Sequence, residues 1–130
     1  METKQLKILI VDDNPSFVKA LALIIKSVLG NNLGHLNIAG NGEEALEAIK
    51  IMNYDFVFMD VNMPKMDGIE ATKRINRECS RFTKIVGVSF ISDFQTLSSM
   101  LHSGASMYIN KANLTYEEVQ KIFSPNFITK

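Results

Sequence analysis

Residues 55–68 read DFVFMDVNMPKMDG, and the fold can be worked outward from this stretch. Four apolar residues, Phe56 to Met59, stop abruptly at Asp60. Asn62, a Met63-Pro64 step and Asp67-Gly68 follow before a new amphipathic pattern opens. A run this short and apolar, bounded by turn formers, reads as a strand buried on both faces. Its C-terminal end delivers a carboxylate to the point where the chain leaves the core. In open α/β sheets that edge is where ligands bind, so Asp60 is the candidate reactive group.

Upstream, Lys7 to Val11 (KILIV) is a β-branched run that stops at Asp12-Asp13 and reads as a central parallel strand. Asn14 and Pro15 then predict a helix cap and first helical residue. Phe17, Leu21, Ile24, Ile25 and Val28 continue at helical spacing until Gly30. Leu36 to Ala39 gives a short strand. After the Gly40-Asn41-Gly42 turn, Glu43 and Glu44 sit in the first turn of a second helix, whose inward stripe is Ala45, Leu46, Ile49 and Met52.

Downstream, a third helix begins near Asp67 and turns Ile69, Thr72 and Ile75 inward. Lys84 to Ser89 (KIVGVS) is a further buried strand ending in a hydroxyl. A helix from about Asp93 to Ser103 carries Phe94, Leu97 and Leu101 on one face. Ser106 to Ile109 forms the last strand with Lys111 just beyond it, Leu114 to Phe123 closes the pattern, and Ser124 to Lys130 shows little pattern. Five strand–helix alternations predict an α/β doubly wound parallel sheet with right-handed crossovers and helices on both faces. The expectation is one domain over 1–130, with its core at 6–123 and a tail or linker remnant at 124–130.

Composition narrows the function. The 130 residues are 46% hydrophobic and 22% charged, ordinary for a globular chain. Fourteen basic and fourteen acidic side chains give no net charge, which argues against a nucleic-acid or anionic-membrane surface, since both need a basic excess. One cysteine, Cys79, fits a reduced, cytoplasmic setting. The apolar run Ile8 to Val11 is too short for a signal-peptide core or a membrane span. The cluster Lys73, Arg74, Arg77 and Arg81 reads as a solvated helix face.

Placed along one sheet edge, the strand ends carry Asp12-Asp13, Asp60, Ser89 and Lys111. Three neighbouring carboxylates repel and need a compensating charge. A hard divalent cation such as Mg²⁺ supplies it, with Mn²⁺ as the alternative. Lys111 adds a second positive charge and Ser89 a hydroxyl. This set suits phosphoryl transfer to a carboxylate nucleophile.

From about Leu6 to Phe123 the chain resembles the receiver domain of two-component response regulators. The matching pieces are ILIVDDNP, MDVNMPKMDGIEATKRI, VGVS and GASMYINK, in the family's order and spacing. The resemblance implies a flavodoxin-like five-stranded sheet of order 2-1-3-4-5. It further implies that Asp60 accepts a phosphoryl group from a histidine kinase or histidine phosphotransfer protein. Asp12, Asp13, Asp60 and the backbone carbonyl of Asn62 would hold Mg²⁺. Ser89 resembles the switch hydroxyl, Lys111 the lysine that pairs with the phosphoryl group, and Tyr108 the aromatic switch. The output face would be the fourth helix, fifth strand and fifth helix, which is also a candidate homodimer surface. On this reading the chain is a signalling phosphoacceptor and not an enzyme.

Asn62, Phe90 and Ile91 occupy positions expected to tune access and rate. The family usually has a very small residue where this chain has Phe90. Ala112 stands where many members have proline, and GASMYINKA looks more like the branch joined to LuxR-type helix-turn-helix output domains. Two rivals remain at this stage: a receiver-like binding module regulated without phosphate, and an aspartyl-phosphate phosphatase of the haloacid dehalogenase type. The second is weakened because its motif would lie on the first strand with a carboxylate in place of Asn62.

Overall fold

The computed structural model describes residues 5–63, 66–78, 82–90 and 93–127. β1 (Leu6–Val11) forms at the sheet centre because its residues are apolar on both sides, and it pairs in parallel with β2 (Leu33–Ala39) and β3 (Phe56–Asp60). β4 (Lys84–Ser89) adds to β3, and β5 (Met107–Asn110) adds to β4. The order is β2-β1-β3-β4-β5, as expected from the resemblance. The crossovers carry α1 (Pro15–Leu29), α2 (Gly42–Ile51), α3 (Gly68–Glu78) and α4 (Phe94–His102), and α5 (Tyr116–Phe127) follows β5.

Strand alternation divides the interior in two. Ile8, Ile10, Phe56, Phe58, Val86, Val88 and Ile109 meet Leu21, Ile25, Val119, Ile122 and Phe123 from α1 and α5. Leu9, Val11, Val57, Met59 and Ile85 meet Ala45, Ile49, Ala71, Ile75 and Met100 from α2, α3 and α4. In the first layer Phe123 meets Phe56 edge-on at 4.9 Å between ring centroids and Phe58 at 5.9 Å. Such pairs add about 1 kcal/mol each to the burial of the rings themselves.

The helix starts are set by short polar side chains. Asn14 Oδ1 accepts from the backbone N–H of Ser16 (3.0 Å) and of Phe17 (3.2 Å). Asn41 Oδ1 accepts from Glu44 N–H at 2.9 Å, while Glu44 Oε1 accepts from Gly40 N–H at 2.7 Å, a reciprocal cap. Asp67 Oδ1 accepts from Glu70 N–H and Asp93 Oδ1 from Thr96 N–H, capping α3 and α4. Each cap contributes on the order of 1 kcal/mol and fixes where its loop ends at the sheet edge.

Three expectations need correction. β2 starts at Leu33, earlier than Leu36, because it is an edge strand held by backbone pairing to β1. Its exposed Gly34, His35 and Asn37 leave no hydrophobic run to read. The Phe94–Leu97–Leu101 face of α4 is not its core face: Phe94 is 80% exposed, Leu101 is exposed, and Met100 is the buried residue. α5 starts after Thr115, whose hydroxyl caps it by accepting from Glu118 N–H, and continues to Phe127, into the stretch expected to be tail. Lys111 opens a single 3₁₀ turn, Lys111–Asn113. No cis peptide occurs among the described residues, the Lys111–Ala112 bond included, and none of their helices is long and apolar enough to cross a membrane.

Candidate functional site

β1 and β3 are neighbours in the sheet, so their C-terminal ends bring Asp12-Asp13 and Asp60 together. Each of Asp12, Asp13 and Asp60 offers a carboxylate oxygen within 4.8 Å of the others. Asp12 and Asp60 are only 4% and 5% exposed, whereas Asp13 faces solvent. Lys111 enters from the end of β5, with Nζ 2.7 Å from Asp12 Oδ2 and 3.5 Å from Asp60 Oδ1. Asn14 N–H donates to Asp12 Oδ1 at 2.9 Å and so fixes that carboxylate from the start of α1.

The charge balance is uneven. Burial, and then the Asp12 charge, push the Asp60 carboxyl up from 3.8 to about 6. Lys111 and the Asn62 backbone N–H, which donates to the carboxylate, pull the other way without cancelling the rise. One lysine thus undercompensates a buried acidic pair. Asp12 Oδ2 carries the same signature: it lies in ion-pair range of Lys111, yet among the described residues no hydrogen-bond donor reaches it in good geometry. A buried, incompletely satisfied carboxylate oxygen beside two further carboxylates fits a hard divalent cation, for which the donor set is all oxygen.

The remaining predicted residues fall around this cluster. Asp60 pairs with Val88 across the β3–β4 ladder, so buried Ser89 ends β4 one residue beyond that partner. Tyr108 pairs with Gly87 and is half-buried in the second core layer. A Cβ at Gly87 would come within 2.9 Å of Met100 Cε and 3.1 Å of Tyr108 Cδ2, so the missing side chain makes room for both. Asn62 has an exposed side chain. Phe90 is 65% exposed, with its ring centroid 5.6 Å from Lys111 Nζ. Ile91, Cys79 and Arg81 lie outside the described residues. Lys73 is exposed, and Arg74 and Arg77 pair with Glu70 and Glu78 of their own helix, in line with a solvated face.

Two neighbours of the cluster escaped the sequence reading. Asn14 is legible as a cap, but not as the donor that orients Asp12. Phe17 reads as one position of the α1 core stripe, yet its ring centroid lies 4.4 Å from Lys111 Nζ. The available signal is its place in the first turn of α1, directly after the aspartate pair at the sheet edge.

Strand-end carboxylates and a buried lysine thus converge at one edge of a 2-1-3-4-5 parallel sheet, as the receiver-domain resemblance implies. Residues 8–123 match the response regulator receiver domain family, and the chain belongs to that family. It is 38% identical over 111 residues to the probable C4-dicarboxylate response regulator DctR of Bacillus subtilis, covering 85% of this chain and 48% of that one. The CheX-CheY-BeF3-Mg²⁺ complex from Borrelia burgdorferi contains a similar fold, with a TM-score of 0.83 and 31% identity over 98% of this chain and 92% of that one. A two-component response regulator from Clostridium difficile superposes with a TM-score of 0.82 at 26% identity, over 93% of this chain and 94% of that one. The chain spans about half or less of the length of the curated relatives it matches.

Proposed function

We propose that Asp60 is the phosphoacceptor of this receiver domain, charged by a histidine kinase or a histidine phosphotransfer protein in the cytoplasm. The observation that carries this reading is the buried Asp60 carboxylate set between Asp12 and the Lys111 ammonium at the sheet edge. At neutral pH a carboxyl with a pKa of about 6 is mostly ionised and available as a nucleophile. One Asp60 oxygen attacks phosphorus and forms an O–P bond. The bond from phosphorus to the donor nitrogen of phosphohistidine, or to the oxygen of acetyl phosphate, breaks, and its electron pair leaves with imidazole or acetate. Water reverses the modification by attacking phosphorus and releasing inorganic phosphate and the carboxylate.

Asp12, Asp13, Asp60 and the Asn62 carbonyl would hold Mg²⁺, or Mn²⁺ in its place. When bound, the ion neutralises charge on the phosphoryl oxygens and on the carboxylates. The Borrelia burgdorferi CheX-CheY-BeF3-Mg²⁺ complex, whose matching chain is 31% identical, supports this assignment. Lys111 pairs with a phosphoryl oxygen, and Ser89 donates its hydroxyl to another. Tyr108 responds to the movement of Ser89, and the change reaches the face formed by α4, β5 and α5. Uncovered Phe94, Leu101 and Tyr116 on α4 and α5 support that face as the output and homodimer surface. The domain assists its own phosphorylation and dephosphorylation without turning over a free substrate.

Acetyl phosphate with Mg²⁺, read by intact mass, tests the reading. One phosphoryl group per wild-type chain and none on Asp60→Asn are expected. Equal labelling of both, or continuous turnover of a general phosphate monoester, would overturn it. A second reading, regulation without phosphate, is favoured by the Phe90 ring beside Lys111. An Asp60 region whose NMR signals ignore both beryllofluoride with Mg²⁺ and phosphodonor selects that alternative.

A further inference from the structure

We infer that Phe17 is a positioning residue for Lys111: its ring, together with that of Phe90, brackets the ammonium group and holds it at the carboxylates. Nζ lies over the Phe17 ring at 4.4 Å and over the Phe90 ring at 5.6 Å, while reaching Asp12 Oδ2 at 2.7 Å and Asp60 Oδ1 at 3.5 Å. The Lys111 side chain is only 6% exposed. An ammonium carries three donor hydrogens and is strongly hydrated in water. Here two carboxylates replace part of that hydration, and the negative faces of two rings replace another part. An aliphatic side chain could fill the same space but would offer no such attraction.

The two rings are not equivalent. Phe17 sits in the first turn of α1, where its own N–H donates to Asn14 Oδ1 at 3.2 Å and its side chain packs against the first core layer. The N–H of that same Asn14 donates to Asp12 Oδ1 at 2.9 Å. One cap residue therefore sets the position of both the ring and the carboxylate that Lys111 touches. Phe90, 65% exposed beyond the end of β4, is the outer half of the bracket. Phe17 is the nearer and better anchored ring, so most of the positioning falls to it.

The catalytic consequence rests on Asp60 being the phosphoacceptor; the bracket itself does not. Two measurements on wild type, Phe17→Leu and Phe17→Tyr separate them. In metal-free, unmodified protein, the Lys111 ε-methylene protons should resonate upfield of exposed lysines, return downfield in Phe17→Leu and move back upfield in Phe17→Tyr. With acetyl phosphate and Mg²⁺, Phe17→Leu should label roughly three- to tenfold more slowly and Phe17→Tyr near the wild-type rate. Urea unfolding checks that both variants are folded. An unchanged ε-methylene shift in Phe17→Leu, a wild-type labelling rate in Phe17→Leu, or a Phe17→Tyr variant as slow as Phe17→Leu would each overturn the inference. A wild type that accepts no phosphoryl group would overturn the phosphoacceptor reading, and the ε-methylene shifts alone would then decide the bracket.

Discussion

Replacing Asp60 with asparagine should stabilise the metal-free domain at neutral pH, although it removes the proposed phosphoacceptor. The folded state raises the Asp60 carboxyl from 3.8 to about 6 through burial and the Asp12 charge. A carboxyl raised on folding binds its proton more tightly in the native state. Stability from this group is therefore present at low pH and declines as pH rises through the interval between about 4 and 6. Above that interval both states are ionised and the full penalty stands. At about 1.4 kcal/mol per tenfold change in the equilibrium, a rise of this size corresponds to at most about 3 kcal/mol. Asparagine has nearly the same shape and no charge to bury, while Lys111 keeps Asp12 at 2.7 Å.

Urea unfolding of wild type and Asp60→Asn, without divalent ions, is the assay. The variant should be more stable by roughly 1–3 kcal/mol at pH 7, and the difference should shrink toward zero by about pH 4. A domain of this size should show that gain as a melting-temperature rise of several degrees. On the proposed metal site, adding Mg²⁺ should narrow the gap by stabilising the folded wild-type carboxylate cluster preferentially. A variant no more stable than wild type at pH 7, or a difference that does not change between pH 4 and pH 7, would refute the electrostatic reasoning.

Phe90→Ala should accelerate loss of the Asp60 phosphoryl group severalfold by admitting water, read as decay of the labelled mass; an unchanged decay rate sinks this expectation. Thr72 is fully buried on α3, and among the described residues its hydroxyl has no hydrogen-bond partner, so Thr72→Val should add about 1 kcal/mol in urea unfolding. Gly68 opens α3 against the end of β3, where a Cβ would strike the Asp60 carbonyl oxygen and come within 2.8 Å of Val61 Cα. Gly68→Ala should cost about 1–3 kcal/mol and slow phosphorylation by moving that loop; wild-type stability and rate together would contradict it.

The parts of the fold that were legible in sequence are those with one physical demand on them. β1, β3 and β4 are covered on both faces, so ILIV, FVFM and IVGV read as strands on composition alone. β2 must only pair its backbone to β1, and its side chains are free to be Gly34, His35 and Asn37, which is why three residues of it were missed. On α4 the periodicity was real but ambiguous. Phe94, Leu97 and Leu101 make a better apolar stripe than Met100, and spacing alone cannot say which stripe meets the sheet. At the site, Asp12, Asp13 and Asp60 were visible because a carboxylate ending a buried strand has few structural uses. Phe17 was hidden because it serves two: its side chain packs against the core, while its ring face meets a lysine far along the chain.

Strand alternation gives the site a division of labour that no single motif contains. Asp12 and Asp60 share the parity of Ile8, Ile10, Phe56 and Phe58, on the side of α1 and α5, where Phe17 also meets Lys111. Ser89 shares the parity of Ile85 and Gly87, on the side of α3 and α4, and Tyr108 packs there with Met100. On the proposed reading, negative charge added at Asp60 arises on one side of the sheet, while Tyr108 and Met100 lie on the other. Ser89 pairs with Asn110 at the last step of the β4–β5 ladder, and Lys111 follows Asn110 directly in the chain, so the hydroxyl and the lysine sit at the same end of the sheet. Gly87 then matters as much as any charged residue. A side chain there would occupy the space that Tyr108 and Met100 share, beside α4 with its exposed Phe94.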